Sequence, residues 1–176
     1  MTGFTEDADG VYSKVRGQLL PGSAAHEHAG HHAWRGVLPT RDEPVSEDGW
    51  NEALFDLIEA TPDEAILHNQ IMFVPELPRW TSDRVVLIGD AAHGLSPHIA
   101  AGGTLGVEDV GVLTRKLEGG LDIAGALKAY EADRMARYEI VREHSRAVEG
   151  SADAREYAET YAAFSHWMLT ERPKIG

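Results

Sequence analysis

The stretch from residue 84 to 110, RVVLIGDAAHGLSPHIAAGGTLGVEDV, constrains the fold of this chain more than any other. Val85, Val86, Leu87 and Ile88 form an apolar run that stops at Gly89-Asp90. Uninterrupted aliphatic residues predict a strand buried on both faces, as in a parallel or mixed sheet. Sheets of that kind bind ligands just beyond the carboxyl ends of their strands. Gly89 allows a ligand to approach the backbone closely. Asp90, at the strand mouth, can accept hydrogen bonds from sugar or polyol hydroxyls. Gly102 and Gly103 precede a helical pattern and leave its first N–H groups unobstructed for an anion or a carbonyl oxygen. Pro97 offers a flat apolar surface to a ring. Taken singly, each of these residues also suits a plain strand–loop–helix connection.

The rest of the chain reads as a few strands followed by helices. VYSKVRGQLL (11–20) predicts a short helix ended by Pro21-Gly22, and HHAWRGVL (31–38) a strand. PTRDEPVSEDG (39–49) reads as an exposed connector. Trp50, Leu54, Leu57 and Ile58 fall on one helical stripe. Thr61 and Pro62 suit the cap and first position of a further helical turn, and ILHNQIMFV (66–74) a strand. After the buried strand, Val107, Val110, Leu113 and Leu117 share one helical face. Asp122 caps a long helix through about Val148, with Leu127, Tyr130, Arg134, Tyr138 and Val141 along one side. A last helix aligns Tyr157, Tyr161, Phe164, Trp167 and Met168, a stripe for core or interface.

Charge narrows the function classes. Sixteen Lys and Arg against 29 Asp and Glu give a net charge of −13. That balance repels nucleic acid and anionic membrane, and an anionic ligand needs a local device such as a helix N-terminus. The absence of cysteine excludes disulfides and thiolate chemistry. No apolar run approaches the roughly 20 residues that cross a bilayer, and MTGFTEDADG is not a signal peptide. A cytoplasmic location is expected.

Three other patterns are weaker. HEHAGHH (26–32) gathers four histidines, but no distant ligand is fixed to complete a metal site. It reads as a solvated loop, and no metal is assigned. Asp90, His93 and Ser96 do not make a hydrolase triad, because triad members come from separate elements. His93 reads instead as a structural partner of the strand-end loop. The Glu and Arg residues from 131 to 146 read as an exposed helix face with i,i+4 pairs.

The whole string is more specific than its parts. RVVLIGDAAHGLSPHIAAGGTLGVEDVGVLTRKL resembles the second flavin-binding signature of the group A FAD-dependent aromatic-ring monooxygenases, in the form of their salicylate-hydroxylase-like branch. DADGVYSKVR (7–16) is similar to the Asp-Gly motif of that family, AWRGVLP follows at a fitting distance, and ALKAYEADRMARYEIVREHS (126–145) resembles the helix after the signature. The resemblance implies an α/β fold: a partial FAD-binding monooxygenase domain over residues 1–150, with a helical C-terminal half and a further helix at 151–176. It implies that Asp90 takes the ribityl chain of FAD and that Gly102, Gly103 and Thr104 offer backbone N–H groups to the isoalloxazine edge. Gly89 and Pro97 then lie near the flavin. Thr104 stands where many relatives have Asn, so only its backbone contact carries over. Asp9, Gly10 and Arg16 fall in the motif that serves FAD and NAD(P)H, although Arg16 alone also reads as a solvated helix cation.

The implied activity is NAD(P)H-dependent hydroxylation of a small aromatic substrate through a flavin C4a-hydroperoxide. No catalytic residue is identified. The family's Gly-x-Gly-x-x-Gly string does not occur in the sequence, and little stands between the AWRGVLP strand and Trp50, where relatives extend a substrate-covering sheet. The chain thus reads as an abridged C-terminal portion of the family, with activity impaired on its own. The other reading is a non-catalytic remnant that binds protein, as a homo-oligomer or as one half of a split flavoenzyme.

Overall fold

A computed structural model describes residues 5–22, 26–37 and 50–173, with the side chains of 50–54 excepted. The connector expected at 39–49 lies outside the described residues. The elements are β1 (Thr5–Asp7), α1 (Lys14–Leu19), β2 (Glu27–Gly36), α2 (Trp50–Glu59), β3 (Ile66–Phe73), β4 (Val85–Leu87), α3 (Asp90–His93), α4 (Gly102–Glu118), α5 (Ile123–Glu149) and α6 (Ala154–Thr170). Single 3-10 turns lie at Asp63–Ala65 and Pro97–Ile99. The chain is α/β, with a few strands and a helical C-terminal half. It divides into two units, Met1–Ala29 with Met72–Gly176, and Gly30–Ile71.

In the larger unit β4 pairs in parallel with β1, with Thr5 opposite Val85, Glu6 opposite Val86 and Asp7 opposite Leu87. On its other side Val86 bridges Thr81 in the antiparallel sense. The aliphatic run is buried as the sequence predicts, with Val86, Leu87 and Ile88 all in the core. They pack with Leu77, Trp80, Val112, Leu127 and Tyr130. A second cluster joins Ile99, Leu105, Val141, Val148 and Phe164. The long helix α5 therefore serves both clusters, packing on β4 and α4 in the first and on α4 and α6 in the second. Its start is fixed by Asp122, whose carboxylate accepts the Gly125 N–H at 2.8 Å. Asp153 caps α6 on Glu156 N–H in the same way, each cap contributing about 1 kcal/mol.

The smaller unit holds α2 and most of the β2–β3 pair. On β2 and β3, Trp34 stacks on His68 at 4.1 Å and His68 meets His32 at 2.7 Å. β2 begins at Glu27, so His28, His31 and His32 belong to a strand rather than to a loop. Leu57 and Ile58 of the stripe expected on α2 are exposed. Thr61 does not cap the following turn: its hydroxyl donates to the Leu57 carbonyl and so closes α2, and Pro62 takes the cap position.

Two helix faces differ from the pattern of hydrophobicity. On α4 the buried residues are Leu105, Asp109, Val112 and Leu113, while Val107 and Val110 face solvent. On α5 the Glu and Arg run is only partly an exposed face, because Arg134 is 1% exposed and Glu131 accepts N–H groups from Trp80 and Thr81. The α4 face and the burial of Arg134 have one cause. Asp109 and Arg134 neutralise each other in the interior, and apolarity alone does not reveal which charged residues have a buried partner.

Candidate functional site at the end of β4

The site grows from the turn that ends β4. Gly89 adopts φ 55°, ψ −142°, a conformation open to glycine and costly for any residue with a Cβ. That turn sends the chain into α3, whose first residue is Asp90, an exposed carboxylate. A loop through the Pro97–Ile99 turn and Ala100, at φ 51°, then delivers the chain to α4. No side chain caps the N-terminus of α4. Gly103 faces open space, and a Cβ added at Gly102 would stand 3.6 Å from Asp90 Oδ1. The first N–H groups of a 17-residue helix, the Asp90 carboxylate and the exposed Pro97 and Thr104 thus share one end of the unit.

What keeps this end in place is a buried polar network. Asp109 is fully buried and accepts from Gly89 N–H at 2.8 Å, from His93 Nε2 at 2.6 Å and from Arg134 Nε at 2.6 Å. Burial works to raise the Asp109 pKa, but the hydrogen bond and attraction of His93, then Arg134 and the Gly89 N–H, hold it below the usual carboxylate range. Arg134 also reaches Glu108 and the Leu105 carbonyl, and Arg137 grips Glu108 with Nε and an NH2 nitrogen, both at 2.6 Å. One carboxylate therefore ties the strand end, α3, α4 and α5 together. His93 is the structural partner that the sequence suggests. Asp109 and Arg134 are the residues that sequence reasoning missed as a pair. Their signal was an Asp on a helix face otherwise destined for the core.

The Asp-Gly segment meets the same turn from below. Ile88 N–H donates to the Asp7 carbonyl at 3.0 Å. Asp7 is buried and accepts the Ser13 hydroxyl at 2.8 Å, and Ser13 also takes the Arg16 N–H as the cap of α1. Burial raises the Asp7 pKa against the Ser13 hydrogen bond, which lowers it. Asp9 is exposed and accepts the Lys14 N–H at 2.8 Å, and Gly10 turns the chain at φ 84°. Arg16 is not a solvated cation. It is 1% exposed, and its NH1 and NH2 nitrogens donate to the carbonyls of Ala91 and Val11 at 2.7 and 2.5 Å. It therefore supports α3 directly after Asp90. The structure places Gly102, which begins α4 with Gly103 and Thr104, beside Asp90, which follows Gly89, and Pro97 lies in the loop between Asp90 and α4. Arg16 lies beneath α3, and Asp9 and Gly10 are engaged in their own turn.

The arrangement suits a flavin dinucleotide by its donor set: uncapped helix N–H groups for an electron-rich ring edge, a free carboxylate for hydroxyls, and a glycine turn between them. Residues 72–145 match the FAD binding domain family. The chain is 40% identical over 91 residues to 6-hydroxynicotinate 3-monooxygenase of Bordetella bronchiseptica, covering 51% of this chain and 23% of that protein. It is 29% identical over 178 residues to Aurachin C monooxygenase/isomerase of Stigmatella aurantiaca, covering 74% of this chain and 46% of that one. The fold is shared with Klebsiella pneumoniae HpxO, solved with FAD and uric acid, at a TM-score of 0.65 and 20% identity, over 92% of this chain and 55% of that structure. The sequence thus spans about half or less of the curated relatives' length. Among the described residues no helix is long and apolar enough to cross a membrane.

Proposed function

Since residues 72–145 match the FAD binding domain family, we propose that the end of β4 holds the isoalloxazine and ribityl portions of FAD. The observation that carries the reading is the uncapped N-terminus of α4 beside the Asp90 carboxylate, inside the matched segment. Asp90 accepts from ribityl hydroxyls. The N–H groups of Gly102, Gly103 and Thr104 face the pyrimidine edge, where a reduced flavin concentrates negative charge. The helix N-terminus stabilises that charge by about 0.3–1 kcal/mol, against a protein whose net charge of −13 opposes it. Pro97 lies along the ring, Asp9 and Gly10 serve the dinucleotide side, and Arg16 positions α3 through the Ala91 carbonyl.

When bound, FAD supplies electron transfer from NAD(P)H and activation of dioxygen for hydroxylation of a small aromatic substrate. The buried Asp109–His93–Arg134 network holds the donors fixed while the flavin changes charge, so little reorganisation accompanies reduction. The test is turnover. Chain supplied with FAD, NADPH or NADH and a panel of hydroxypyridines and hydroxybenzoates should consume reductant and yield hydroxylated product by mass spectrometry. Reductant consumption that no aromatic compound stimulates removes the hydroxylase reading.

A second reading is favoured by the outer face of α4. Val107 is 74% and Val110 47% exposed, and β1 pairs with β4 alone among the described residues. In that reading the same faces bind a second polypeptide, either as a non-catalytic contact or to complete a split flavoenzyme. Recovery of turnover on adding a separately expressed Gly-x-Gly-x-x-Gly unit from a relative would support it, and failure of the two chains to co-elute would remove it.

A further inference from the structure

The histidine run at 26–32 has no distant ligand fixed by the sequence, and the pairing of β2 with β3 supplies one. His68 of β3 and His32 of β2 bring Nε2 and Nδ1 to 2.7 Å from each other. Both imidazoles are exposed. Trp34, two residues along the same face of β2, stacks on His68 with centroids 4.1 Å apart and planes within 13°. All three residues belong to the smaller unit.

A single proton joins the two nitrogens. A neutral imidazole nitrogen is also the commonest protein ligand for a metal, and two of them on paired strands form the start of a chelate. Distance decides which metal fits. With metal–nitrogen bonds of about 2.0 Å, two ligands at a right angle stand about 2.8 Å apart, and two at the tetrahedral angle about 3.3 Å. The 2.7 Å separation matches the right angle of a square-planar or tetragonal ion, the preference of Cu(II) and Ni(II). Ligand number points the same way. Among the described residues no third histidine or carboxylate joins this pair within 4.8 Å, whereas a structural zinc site takes four protein ligands. Exposure lets water fill the remaining positions. The net charge of −13, which opposes anions, draws a divalent cation.

We infer that His32 and His68 chelate one Cu(II) ion, which displaces the shared proton to solvent, while water completes a tetragonal sphere and Trp34 backs the His68 ring. Copper is preferred to nickel because it binds nitrogen ligands more tightly. The site is remote from any residue assigned to FAD in the sequence and does not rest on that assignment.

The probe is CuCl2, added to the untagged full chain in a buffer that does not chelate copper. Binding is followed by calorimetry, tryptophan fluorescence and electron paramagnetic resonance. One equivalent should bind saturably, give an axial spectrum with nitrogen hyperfine structure, and quench Trp34. His32→Gln and His68→Gln should each weaken binding at least tenfold. His31→Gln, on the opposite face of β2, should change it less than twofold. Trp34→Phe should keep the affinity and lose most of the quenching, and ZnCl2 should bind at least tenfold more weakly than CuCl2. No saturable copper binding by the unmodified chain, or zinc bound as tightly as copper, overturns the inference independently of any variant. Affinity retained by a folded His68→Gln protein, affinity lost in His31→Gln, or quenching undiminished in Trp34→Phe places the metal elsewhere and overturns it too.

Discussion

Replacing Asp109 by Asn is the sharpest perturbation of the strand-end architecture. The side chain keeps its size and loses its charge. It also presents an NH2 group to neighbours that are all donors: Gly89 N–H, His93 Nε2 and Arg134 Nε. Arg134, 1% exposed, is left with Glu108 as its ionic partner. Removing one partner of a buried ion pair costs about 3–5 kcal/mol, against a total stability of roughly 5–15 kcal/mol for a domain. Urea unfolding followed by far-UV circular dichroism should show a fall in unfolding free energy of that size, as a lower midpoint with an unchanged slope. The pH dependence supplies a second readout. The Asp109 pKa is lowered in the folded state, so its contribution is complete above the unfolded value of about 3.9 and is lost as pH falls through the folded value. The variant should therefore lose stability at pH 7 and lie closer to the unmodified protein in strong acid. A loss under about 1 kcal/mol at pH 7, or the same loss at all pH values, would refute the reasoning.

Other substitutions separate local causes. Gly89→Ala meets only ordinary contact at Gly106 but is held at φ 55°, so backbone strain alone should cost about 1–3 kcal/mol; a neutral result in thermal denaturation contradicts that conformation. Arg16→Met leaves the Ala91 and Val11 carbonyls without their guanidinium donors and should cost about 1–3 kcal/mol, whereas a solvated cation would cost nothing measurable. Asp122→Ala removes the cap of α5 and should cost about 1 kcal/mol with no change in flavin affinity, read by the same melts and by FAD titration.

Much of this was legible in the sequence. The run Val85–Ile88 gave a buried strand because uninterrupted aliphatic residues suit a strand covered on both faces, and Gly89-Asp90 marked where it stops. Asp122 was readable as a cap because an acceptor before a periodic apolar run has few other uses. The face of α4 was not readable. Val107 and Val110 outrank Asp109 in hydrophobicity, yet Asp109 turns inward because His93 and Arg134 await it, 16 and 25 residues away in sequence. Arg16 was ambiguous for the same reason, since its carbonyl acceptor at Ala91 lies 75 residues downstream. β1 escaped notice because three residues, Thr5–Asp7, carry too little pattern to mark a strand until β4 pairs with them.

The central claim is that the end of β4 holds FAD through Asp90 and the N-terminus of α4. Its most direct test is equilibrium titration of the purified chain with FAD, read by quenching of flavin fluorescence, beside the Asp90→Ala variant. The account predicts saturable binding to the unmodified chain and at least tenfold weaker binding to the variant, with unchanged melting of the protein alone. Binding that Asp90→Ala leaves intact, or no flavin binding by the unmodified chain at all, contradicts it.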